Sequence, residues 1–113
     1  MLRLYKLPSA VIRYIMSETK ISDDSWSLSL KNGNGVLRRE VWVDERGRVV
    51  RYNLAYINHR IYQGDNGRVV GYDNAHEFHH RHFMGMVEPV EFTNFEDIED
   101  RFQADWAAFR NRK

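Results

Sequence analysis

Four of the chain's five histidines, His76, His79, His80 and His82, fall within residues 71–85, which read GYDNAHEFHHRHFMG. Imidazole changes charge near neutral pH, moves protons and binds metals. Three readings of the cluster follow. In the first, neutral ring nitrogens ligate a metal such as zinc, which needs three or four converging ligands. An extended chain would put His76, His80 and His82 on one face, whereas a helix would gather His76, His79 and His80. Asp73 or Glu77 could add a carboxylate. No HExxH helix accompanies them, and His59 is the one remote histidine.

The second reading is metal-independent acid–base chemistry on a phosphodiester. A base takes the 2′-hydroxyl proton, an acid protonates the leaving oxygen, and cations surround the phosphorus. Imidazoles with a pKa near ~6.5 suit both proton roles. His80 and His82 are the expected proton-transfer pair, with His76 beside them. Asp73 would orient an imidazole, and Arg81 would stabilise developing charge. Arg68, Arg60, Tyr72 and His79 are the expected substrate-binding groups, the arginines for phosphate and Tyr72 for stacking or its hydroxyl. The third reading is plain: solvated residues after a strand, with Asp73-Asn74 forming a turn and Phe78, Phe83 and Met84 as buried anchors.

The elements that must position these side chains read as an antiparallel meander over residues 36–75. VLRREVWVD (36–44) alternates, with Leu37, Val41 and Val43 on one side and Arg39 interrupting that side. ERGR (45–48) is a turn signal, and VVRYNLAYI (49–57), rich in β-branched and aromatic residues, is the next strand. Asn66-Gly67 in QGDNG is a hairpin signal, because both residues tolerate positive φ. RVVGYDNA (68–75) returns and should end near Asp73. GRVVRYNLA (47–55) and GRVVGYDNA (67–75) echo one another, which fits one turn–strand geometry used twice.

After Pro89 the period changes. Phe95, Ile98, Phe102, Trp106 and Phe109 recur at helical steps, predicting a helix over 94–111 with one apolar face. Thr93 and Glu96 form a capping-box pattern. Early acids and the late cations Arg110, Arg112 and Lys113 match the helix dipole. The acidic run EDIEDR fits a solvated helix face. The strand aromatics Trp42, Tyr52, Tyr56, Tyr62 and Tyr72 are expected mainly in the core. Residues 1–30 are poorly defined: SAVIRYIM fits a strand or a helical turn, WSLSL (26–30) alternates like a strand, and KNGNG (31–35) is a loop.

At 113 residues with 42% hydrophobic and 13% aromatic composition, the chain can bury one modest core, and a single domain over 1–113 is expected. Net charge is only +1, so no global basic field marks a nucleic-acid binder, although arginines crowd the middle. The absence of cysteine excludes disulfides and thiolate metal sites. No apolar run reaches the ~18 residues of a membrane helix. The opening MLRLYKLPSAVIRYIM, broken by Pro8 and Arg13, lacks the apolar core and cleavage site of a secretory signal. The cytoplasm is therefore the expected compartment.

The motif DNGRVVGYDNAHEFHHRH (65–82) resembles the hallmark of the TumE-like toxins of bacterial toxin–antitoxin pairs. Gly67-Arg68, Tyr72-Asp73-Asn74-Ala75 with His76, and His79-His80-Arg81-His82 carry the likeness, which extends roughly over 36–110. A single His76 followed by Glu77-Phe78 departs from the paired histidine and longer spacer of such relatives. The resemblance implies a small intracellular toxin neutralised by a cognate antitoxin, of the helix-turn-helix DNA-binding kind. Many small toxins of similar build cleave RNA, which is an analogy of fold.

The expectation is thus an α+β fold, an antiparallel meander of four to six strands with a C-terminal helix on one face. RNA is the expected substrate and no cofactor is required. The competing readings are a non-catalytic protein-interaction module and a metal-binding protein using His76, His80 and His82. An open edge strand would also allow pairing with a second copy of the chain.

Overall fold

A computed structural model describes residues 17–110. The SAVIRYIM segment, Arg112 and Lys113 lie outside the described residues. Six strands form one antiparallel sheet in the order of the sequence: β1 (Thr19–Ser27), β2 (Val36–Val43), β3 (Val49–Ile57), β4 (Arg68–Asp73), β5 (His80–Phe83) and β6 (Met86–Pro89). A C-terminal helix, Phe95–Arg110, packs on one face, chiefly against β3 and β4. The fold is α+β, as the change of hydrophobic period requires.

The strand period explains which face is covered. Tyr52, Leu54, Tyr56, Val70 and Tyr72 form one core with Ile98, Phe102, Trp106 and Phe109 from the helix, and all are buried. Arg39, which interrupts the apolar side of β2, points the same way. It reaches Glu99 on the helix at 3.1 Å, so the charge there is an inter-layer tie. Tyr56 and Tyr72 keep their hydroxyls satisfied, Tyr56 on the Gly33 and Asn34 carbonyls and Tyr72 on Asp105.

Several expectations shift. The first strand runs from Thr19 to Ser27 instead of over 26–30, and Leu30–Asn32 is a 3-10 turn leading through Gly33. Asn66 and Gly67 do adopt positive φ, 54° and 83°, but they close a longer connection from Ile57 to Arg68 and not a two-residue hairpin. The helix is capped one residue later than the Thr93–Glu96 pattern predicts: the Asp97 amide donates to Asn94 Oδ1 at 2.8 Å. Phe78 is no anchor, being half exposed, whereas Phe83 and Met84 pack at the edge of the core. Among the described residues no helix is long and apolar enough to cross a membrane.

Candidate active site

Pairing of β4 with β5 sets Asp73 directly opposite His80, and Gly71 opposite His82. Opposed side chains in an antiparallel pair share a face at about 5 Å. These four therefore lie on the face that the helix leaves open. His79 and Arg81, one residue off in register, belong to the other face.

On the open face the two imidazoles converge on one carboxylate. His80 Nε2 lies 2.8 Å from Asp73 Oδ1, and His82 Nε2 lies 3.0 Å from Asp73 Oδ2. The second approach is close enough for charge attraction but out of line, so His82 Nε2 is buried without a hydrogen-bond partner. The rings contact one another edge-on at 4.8 Å between centroids. Only 6% of the His80 side chain and 12% of the His82 side chain remain exposed.

Arg68 completes the group. It is held at three points: Nε donates to Asp65 Oδ2 at 2.7 Å, one terminal nitrogen lies 3.3 Å from Asp73 Oδ2, and the other lies 3.0 Å from His82 Nδ1. Gly71 makes this reach feasible. A Cβ there would stand 2.9 Å from Arg68 Cδ and 2.7 Å from the Leu54 carbonyl oxygen, too close for either. Asp73 is fixed from the turn side as well, since the Ala75 amide donates to its Oδ1 at 3.0 Å. Asn74 extends the ladder through its amide, bonding the Tyr52 N–H and the Val50 carbonyl.

These contacts set the protonation pattern. A guanidinium only donates, so His82 Nδ1 is the acceptor and its proton sits on Nε2, facing Asp73. Burial first, and then the positive charge of Arg68, hold the His82 pKa below the ordinary imidazole range, against the pull of Asp73. His80 Nδ1 lies 3.1 Å from the Phe78 carbonyl oxygen, which only accepts. Both nitrogens of His80 thus face oxygen, Nδ1 the Phe78 carbonyl and Nε2 the Asp73 carboxylate. Both rings turn Nε2 toward the carboxylate, and His82 keeps a lone pair on Nδ1.

The remaining expected residues are dispersed. Arg81 bonds Asp105 on the helix at 2.9 Å and Glu88 on β6 at 3.1 Å, with its guanidinium over Phe83. Tyr72 is buried against Phe102, and its hydroxyl donates to the same Asp105 at 2.6 Å; burial and that bond push its pKa up to about 12. His79 stacks on Phe92 at 3.9 Å and bonds the Tyr52 hydroxyl at 2.9 Å. Burial, then the neighbouring His80, lowers the His79 pKa. His76 sits exposed in the turn before β5 with φ 62°, and Arg60 is exposed in the β3–β4 connection. Among the described residues the grouping close enough for a metal is Asp73, His80 and His82, whose ligand atoms lie within 4.8 Å of one another. Asp65 and Gly71 were not singled out from the sequence. The Asp65–Arg68 spacing across a turn was the available sign.

The family model described as toxin TumE matches residues 7–113, nearly the whole chain and more than the span of the hallmark motif. The chain belongs to the TumE toxin family. No curated protein and no solved structure matches it. Membership of the TumE toxin family implies an antitoxin partner in general.

Proposed function

We propose that the protein is the toxin of a bacterial type II toxin–antitoxin pair, paired with a helix-turn-helix antitoxin, and that it cleaves RNA in the cytoplasm through Asp73, His80, His82 and Arg68. The observation that carries the reading is the convergence of two imidazoles on one carboxylate, with a guanidinium touching both the carboxylate and one ring. In the proposed reaction His82 Nδ1 accepts the 2′-hydroxyl proton as that oxygen bonds to phosphorus. The 5′-oxygen leaves with a proton from His80 Nε2, giving a cyclic phosphate and a free 5′-hydroxyl. Arg68 neutralises the phosphoryl oxygens, and Asp73 holds the two rings at their spacing. Arg68 on Nδ1 and the carboxylate facing Nε2 also keep the His82 ring in one tautomer.

Metal-assisted cleavage is the second reading, favoured by the mutual closeness of the Asp73, His80 and His82 ligand atoms. Against it, Arg68 already places a positive charge 3.3 Å from the same carboxylate. Incubating the purified protein with RNA, with and without chelator, separates the readings. Cleavage that survives the chelator supports imidazole chemistry, and chelator-sensitive cleavage supports the metal. No cleavage at any pH or metal concentration, from a protein that still inhibits growth, would favour a toxin that acts by docking to a partner.

A further inference from the structure

The lone pair that His82 would use as a base is not free. Its proton sits on Nε2, so the only basic site is Nδ1, and Arg68 occupies that site at 3.0 Å. The base is therefore covered in the ligand-free protein. Arg68 is also more exposed than either imidazole. Its side chain is 19% exposed, against 12% for His82 and 6% for His80, and it sits between the imidazoles and the surface loop that carries Asp65.

We propose that Arg68 is a phosphate-exchanged cap on His82: a substrate phosphodiester draws the guanidinium off Nδ1 and so uncovers the base only when the phosphate is in place. The inference rests on the RNA-cleaving reading above and deepens it, assigning Arg68 a positioning role in addition to its charge. A phosphodiester offers two oxygens to the guanidinium fork, a better match than one imidazole nitrogen and a carboxylate oxygen at 3.3 Å. Asp73 does not follow Arg68, because His80 Nε2 and the Ala75 amide both hold it. Asp65 resists the exchange. It grips Arg68 Nε from a turn in which Asp65, Asn66 and Gly67 all take positive φ.

The test is nitrogen NMR of the His82 ring in the full-length labelled protein, titrated with a short 2′-O-methyl oligoribonucleotide. That probe presents phosphodiesters but lacks the nucleophile, so it binds without being cleaved. Binding is followed separately by fluorescence anisotropy. At saturation the Nδ1 resonance is expected to move from a hydrogen-bonded to a free lone-pair position, with the proton still on Nε2. Arg68→Gln should show the free position before any probe is added, and Arg68→Lys should bind the probe several-fold more weakly. Asp65→Asn, which removes one restraint on Arg68, should bind it several-fold more tightly. An unmoved Nδ1 resonance at saturation, no binding, or weaker binding by Asp65→Asn would each overturn the proposal. An intact Nδ1 response without RNA cleavage would instead remove the enzymatic reading and leave the exchange standing. Cleavage without the response would remove the exchange alone.

Discussion

Neighbouring residues of β5 enter two different environments. Arg81 goes to the helix-covered face, where Tyr72, Phe102, Trp106 and Phe109 are buried and its charge is spent on Asp105 and Glu88. His80 and His82 go to the open face, where Asp73 and Arg68 are their partners. The covered face buries large apolar rings whose polar tips find partners, which is how a small core gains stability. The open face packs charged and titratable groups against one another. Such groups cost desolvation energy, so their arrangement is better explained by chemistry than by stability.

If that division is right, substitutions on the two faces should fail in different ways. Trp106→Ala on the covered face should cost about 3–5 kcal/mol of folding stability by denaturant unfolding, since it empties a large buried site. Loss of toxicity there should track loss of fold. Asp73→Asn on the open face should lower RNA cleavage by about 10²-fold, equivalent to ~2.7 kcal/mol of barrier, with a small change in melting temperature. Asn94→Ala, which removes the helix cap, should cost about 1 kcal/mol and leave cleavage per folded molecule unchanged.

The smallest effect is on pH, and it apportions the two faces. His82 and His79 both have folded pKa values below the unfolded value of about 6.5, through burial and then Arg68 for the former, and burial and then His80 for the latter. In that window the unfolded chain binds more protons. Stability is therefore present above about pH 6.5 and declines as pH falls toward the depressed folded values. Comparing the decline in His82→Gln and His79→Gln by thermal unfolding shows how much each face contributes. An unchanged profile in both would contradict the burial assigned to these rings.

The covered face was legible in the sequence because it depends on period and size. The steps of Phe95, Ile98, Phe102, Trp106 and Phe109 specify a helix stripe, and alternation specifies the strands it covers. The open-face site was legible in composition but not in membership. Strand alternation alone separates His80 and His82 from His79 and Arg81, yet the register that sets Asp73 opposite His80 is a long-range pairing. His76 could not be placed because it lies in a turn with positive φ, which histidine adopts less readily than glycine. Asp65 and Gly71 escaped notice because one acts through a neighbouring arginine and the other only by having no side chain.

The most direct measurement compares the two faces within one strand and its lead-in residue. His80→Gln/His82→Gln and His79→Gln/Arg81→Gln are assayed side by side for growth inhibition, RNA cleavage and melting temperature. The open-face pair is expected to lose inhibition and at least about 10²-fold of cleavage while staying folded. The covered-face pair should keep cleavage per folded molecule and melt at a lower temperature. Full toxicity in a folded His80→Gln/His82→Gln protein, or selective loss of cleavage in the other, would contradict the account.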